Sequence, residues 1–162
     1  MSPLDSISGR AIEALLDDFV ARIEAYGRGP SISGLTDHEI DEIRVDQKLA
    51  SLPDAYVGFL RRVGRSAGRF LRGTDAFYPA ILGLKPEASV LMDENGVTDL
   101  YSSDSLVIGM HQGYQLYWMN NPHSNDPPVD MYQEGDLGVK RHWNSFTEFL
   151  LDQSSRDLPN DA

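Results

Sequence analysis

No cysteine occurs in the 162 residues. That excludes disulfides, thiolate nucleophiles, iron–sulfur clusters and cysteine-based zinc sites together, and it fits a reducing compartment. No apolar run approaches the roughly 18 residues of a membrane span. The opening, MSPLDSISGR, has neither a basic start nor an apolar h-region, so no secretory signal is expected and the expected location is cytoplasmic. Positive charge is scarce: 14 Lys and Arg stand against 25 Asp and Glu, a net charge of −11. Such a chain repels phosphate backbones, which argues against direct nucleic-acid binding, and it attracts basic partners.

The patterns that carry chemistry are missing as well. The four histidines, His38, His111, His123 and His142, form no H-x-x-x-H or H-E-x-x-H pair, so no metal site is expected. Asp93, Asn95 and Asp104 fall at positions 1, 3 and 12 of a calcium loop, but Val97 and Thr98 stand where a ligand and a glycine are needed. No phosphate-binding glycine loop appears: Gly64 and Gly68 sit in an arginine-rich stretch that lacks the G-K-[ST] ending. Carboxylate pairs are numerous, as composition alone dictates, and none specifies a reaction. The expectation is a protein with no catalytic residues and no cofactor.

The charge that is present is polarised. RRVGRSAGRFLR carries Arg61, Arg62, Arg65, Arg69 and Arg72 with no acid between them, leaving −16 on the rest of the chain. Arginines near a helix C-terminus favour the dipole and can pair with an acidic neighbouring helix.

Apolar periodicity supplies the elements. Ile12, Leu15, Leu16, Phe19 and Ile23 predict a helix over about 9–26. Thr36 with Glu39 is a capping-box pattern that opens a second helix, with Ile40, Ile43 and Leu49 inward. Pro53 ends it and starts a third, in which Tyr56, Phe59, Leu60 and Val63 share a face and Leu52 packs behind them. Gly64 is expected to take a left-handed C-terminal position. DAFYPAILGL reads as irregular and extended. Residues 86–96 read either as a hairpin about Asn95-Gly96 or as a short helix, and the acidic end favours the helix. SLVIGMHQGYQLYWMN predicts two strands about a Gln112-Gly113 turn, VDMYQEG another, and LGVKRHW one more. Ser145 with Glu148 opens a C-terminal helix, and 154–162 is expected to fray. Helices, then strands, then a helix predict an α+β fold with a mostly antiparallel central sheet and flanking helices.

LPDAYVGFLRRVG resembles the hallmark helix of the SUKH superfamily, which includes SMI/KNR-type fungal cell-wall regulators and many bacterial immunity proteins. The matching residues are Leu52, Pro53, Asp54, Tyr56, Phe59, Leu60 and Gly64. LVIGMHQGYQLYWM resembles a strand pair of one bacterial branch, PPVDMYQEG a later family strand, and WNSFTEFLL the closing helix. The resemblance covers about 36–153, within one domain spanning 1–162. It implies a central sheet with flanking helices and no active site. It further implies a protein partner, typically a toxin, often a nuclease, that is bound and blocked; the alternative it leaves is a regulatory or scaffold module without a toxin.

For such a partner, loops beside a rigid sheet are the expected docking ground. The candidate residues are Asp126, Asp130, Glu134 and Asp136, with Tyr132 as an aromatic anchor and Gln112 at the polar turn.

Overall fold

The computed structural model describes residues 3–26 and 31–157. The first helix, α1, spans Pro3–Tyr26 and so begins ahead of the predicted start at Gly9. Its stripe is as the spacing requires: Ile12, Leu16, Phe19 and Ile23 are buried. α2 (Asp37–Asp46) opens on a complete capping box: the Glu39 amide donates to Thr36 Oγ1 at 3.2 Å and the Thr36 amide to Glu39 Oε1 at 3.0 Å. Each satisfies an orphan group of the first turn.

The corner into α3 (Asp54–Val63) has Pro53 as its N-cap residue at φ −58, with Leu52 half-buried against the core behind it. Tyr56, Phe59, Leu60 and Val63 are buried. Gly64 corrects the expectation for its backbone: φ is −64, an ordinary helical value. Glycine is required there for room, since a Cβ would lie 2.6 Å from the Leu60 carbonyl oxygen and 2.8 Å from Leu35 Cγ. The arginines on either side of Gly64 are occupied. Arg61 pairs with Asp37 at 3.3 Å, Arg62 with Glu13 and Asp17 of α1, and Arg65 with Glu39. Solvent screening leaves each of these pairs a small contribution, but together they tie three helices to one another.

The segment 76–83 is not extended as expected; it passes through successive turns after the short strand β1 (Thr74–Asp75). α4 (Leu84–Glu94) then settles the ambiguity over 86–96 in favour of a helix. A 3-10 turn, Thr98–Leu100, leads into β2 (Leu106–His111), β3 (Gln115–Met119), β4 (Val129–Gln133) and β5 (Arg141–Trp143). The sheet is an antiparallel meander in chain order, β1-β2-β3-β4-β5. α5 (Phe146–Asp157) closes the chain. It continues through 154–157, where fraying was expected: Ser154 is buried and the Asp157 carboxylate accepts from the Leu71 amide at 2.9 Å. Residues 158–162 of that expected tail lie outside the described residues.

Register decides the two sheet faces. Tyr117 pairs with Met131 and Val129 with Trp143; Phe149 of α5 packs on Tyr117 and Trp143 at ring distances of 5.6 and 4.9 Å. On the other face Leu116 pairs with Tyr132 and Trp118 with Asp130. α4 runs from β2 toward the loop after β4. Near its start Lys85 donates to the carbonyls of Gln47 and Ser103, and at its end Asn95 holds the Gly135 amide. β2 and β3 are consequently buried on both faces. A β-bulge lies between Val107 and Gly109, and the fully buried Gln47 side chain serves the Val107 backbone there. Its Nε2 donates to the carbonyl at 2.8 Å, and its Oε1 accepts from the amide at 3.1 Å. An amide side chain thus stands in for a missing strand partner.

Among the described residues two buried side-chain polar atoms have no partner, Gln153 Oε1 and the Tyr56 hydroxyl, the latter enclosed between α3 and α5 beside Phe146. Burial raises its pKa well above the ordinary tyrosine value. Tyr56→Phe removes a dehydrated hydroxyl and is expected to leave stability at neutral pH unchanged or raise it by about 1 kcal/mol. The sign at alkaline pH follows from the raised pKa. The folded state disfavours the phenolate, so stability is complete below about pH 10 and falls as pH climbs beyond it. The variant should lose less over that range in denaturant titrations. A loss of more than about 1 kcal/mol at pH 7 would reveal a hydrogen bond that the structure does not contain.

Candidate functional site

The predicted site residues separate into two groups. Asp126 is engaged at the start of α5, where it accepts from the Thr147 amide at 3.0 Å and from Thr147 Oγ1 at 2.6 Å. A carboxylate there complements the positive helix end. Asp130 lies within the sheet, its side chain 15% exposed, 2.6 Å from His142 Nδ1 across β4 and β5. Asn120 also donates to it at 3.4 Å and, through its carbonyl, collects Ser105 Oγ and Trp118 Nε1. Tyr132 is the clear correction. Its side chain is fully buried and its hydroxyl donates to the Asp136 carbonyl at 2.8 Å, so the ring presents no surface to a partner. These three hold the fold.

Gln112, Glu134 and Asp136 form the second group, gathered at one end of the sheet. The β2–β3 connection is Gln112-Gly113-Tyr114, closed by the His111–Gln115 pair and by a hydrogen bond from the Tyr114 amide to the His111 carbonyl. Both central residues have positive φ, Gln112 at 51 and Gly113 at 78, the signature of a type I′ hairpin turn. The Glu134 amide donates to the Tyr114 carbonyl at 2.8 Å, which sets the β4–β5 loop (134–140) beside the turn. The Gly135 amide, in turn, donates to Asn95 Oδ1 at 3.0 Å, while Asn95 Nδ2 donates to the Leu91 carbonyl at 2.8 Å. One side chain therefore caps α4 and fastens the loop to it.

Negative charge predominates at this end, with Lys140 as the cation of the loop. Asp93 and Glu94 close α4, whose last turn has no basic residue, and Glu134 and Asp136 lie on the fastened loop. Acids at a helix C-terminus oppose its dipole. Among the described residues none of the four forms an ion pair. The Tyr132 pKa is raised, first by burial and then by the charges of Asp136 and Glu134. Leu137, on the same loop, is 95% exposed. The sequence marks Asn95 only as a calcium-loop position and a hairpin alternative, not as the tie to this loop, and it does not mark Leu137; the asparagine's signal is its position at a helix end before glycine, and the leucine's is its place between Asp136 and Gly138.

Gly64-Arg65-Ser66-Ala67-Gly68 has G-x-S-x-G spacing, but it follows helix α3 and Ser66 pairs with Ser33 in an isolated bridge, so it does not form the strand-to-helix elbow that exposes a nucleophilic serine. The depression between β5 and α5 is lined by Arg141, Trp143, Glu148, Asp152 and Arg156. Asp152 there accepts from Trp143 Nε1 at 2.8 Å and pairs with Arg156 at 3.2 Å; these contacts, the tryptophan first, hold its pKa below the usual carboxylate value. A carboxylate so held is a poor proton donor at neutral pH. No group of three or more His, Asp or Glu among the described residues is placed to hold a metal ion, and no described helix is long and apolar enough to cross a membrane.

Compared with known families, residues 34–152 match the model of the SMI1 / KNR4 family (SUKH-1). No curated protein matches the chain.

The turn gives a direct backbone test. A Cβ on Gly113 meets nothing within 4 Å, so Gly113→Ala measures positive φ alone. The expected cost is about 1 kcal/mol in chemical denaturation. Gln112→Gly, at the other positive-φ position, should act in the opposite direction; two variants indistinguishable from the parent would show that the turn is not held in this conformation.

Proposed function

The chain belongs to the SMI1 / KNR4 family (SUKH-1), and from that premise we propose that it is a cytoplasmic immunity protein that binds a toxin domain and blocks it by stoichiometric occlusion. Membership supports a protein-interaction or immunity-type role. The observation that carries the finer reading is the concentration of carboxylates at one end of the sheet, Glu94, Glu134 and Asp136 beside the Gln112 turn, which form no ion pair among the described residues. An excess of negative charge on a fixed base steers an oppositely charged partner and accelerates encounter. A basic toxin, nucleases among them, has the complementary surface. Occlusion needs no proton transfer, metal or cofactor, and none enters the proposal.

The experiment is co-expression with a toxin domain encoded beside this chain, followed by purification and kinetics. A 1:1 complex is expected, with loss of toxin activity in proportion to the bound fraction. Its association rate should fall about tenfold or more from low to high salt, because screening shortens to about 8 Å at physiological strength. A complex with an endogenous regulatory protein in its place, and no protection against the toxin, would favour a scaffold or regulatory module.

A further inference from the structure

We propose that the β4–β5 loop is a docking projection, in which Leu137 enters an apolar socket on a partner protein and the carboxylates around it meet a ring of Lys and Arg side chains. The inference rests on the protein-binding reading above and specifies its contact.

Leu137 is the most exposed of the large apolar side chains among the described residues, at 95%, and Val139, two residues on, is 41% exposed. Single exposed leucines are ordinary on protein surfaces. This one differs in how it is presented. Five hydrogen bonds fix the loop at its two ends: Glu134 N to the Tyr114 carbonyl, Gly135 N to Asn95 Oδ1, Asp136 N to the Gln133 carbonyl, Tyr132 Oη to the Asp136 carbonyl, and Lys140 N to the Met131 carbonyl. An apolar tip on a fixed base loses less freedom on binding than one on a loose segment.

Charge selects the occupant. Glu134 and Asp136 precede the tip, and Glu94 neighbours the Asn95 that holds the loop. An anionic membrane or a nucleic acid is repelled by this setting. A second copy of the chain would bring like charges together. A protein surface with cations around an apolar hollow satisfies both parts of the projection, the leucine at the centre and the acids at the rim.

The test uses the full chain, labelled with ¹⁵N, and the synthetic peptide Lys-Lys-Trp-Trp-Lys-Lys as probe. Titration should first perturb the amides of 93–96 and 134–140. Leu137→Ser should weaken the peptide about fivefold or more, and Glu134→Lys with Asp136→Lys should abolish the response, with the denaturation midpoint of Leu137→Ser unchanged. Replacing the tryptophans of the peptide by glycine should weaken it similarly. Perturbations centred elsewhere, no binding at all, or an unchanged affinity of Leu137→Ser would overturn the proposal. So would a toxin complex that forms with wild-type rates despite Leu137→Ser. Failure of the toxin reading looks different: the peptide still maps to the loop, and no toxin complex forms.

Discussion

Phe59 is the contact on which the helical layer depends. Its ring lies 5.5 to 6.4 Å from those of Phe146, Phe19, Tyr56, Phe77 and Phe70. Those five rings come from α1, α3, α5 and the two turns between α3 and α4. Edge-to-face and offset pairs of this kind add directional preference to area burial. The consequence is positional: α5 is held where Phe149 reaches Tyr117 and Trp143, so the sheet is packed from that side by the same cluster. α1, which lies ahead of the matched family region, enters this cluster through Phe19.

From there the fold transmits order to the exposed end through polar ties. Gln47 completes the hydrogen bonding of β2 at its bulge, Lys85 ties the start of α4 to the end of α2, and Asn95 ties the end of α4 to the β4–β5 loop. Each is a side-chain substitute for backbone pairing that the meander leaves incomplete. Burial lowers the Lys85 pKa, the electrostatic cost of using a cation for such a tie. The loop that carries Glu134, Asp136 and Leu137 thus stands at the end of a continuous chain of fixed elements.

Local chemistry made much of this readable from sequence. The Thr36 box, the Pro53 corner, the Gln112-Gly113 turn and the inward face of α3 each depend on residues within one or two turns of each other, and each appears where spacing placed it. Ser145 also caps α5, donating no box in full: Glu148 N bonds to Ser145 Oγ, but the glutamate reaches back to the Asn144 amide. What sequence did not reveal depends on register and on long-range closure. Tyr132 is expected as an aromatic anchor because it flanks the acidic loops beside the sheet. Pairing with Leu116 and the hydroxyl bond to Asp136 place it inside instead. Gln47, sixty residues from Val107, carries no local mark of its role. The expectation for Gly64 rests on φ, whereas the requirement is for room beside the Leu60 carbonyl and beside Leu35, the second of these distant in sequence.

The acids at the sheet end stand apart from these economies of packing. They add nothing to the core, oppose the dipole of α4 and raise the pKa of the tyrosine beneath them. The account holds that they serve a partner and not the fold, an arrangement in which function is retained against stability. The direct measurement is the denaturation midpoint of the isosteric triple variant Glu94→Gln, Glu134→Gln, Asp136→Asn at low salt. The account predicts a midpoint equal to the parent's or higher by a few tenths of a kcal/mol, as like-charge repulsion is relieved. A fall of more than about 1 kcal/mol would show that these carboxylates hold the loop themselves.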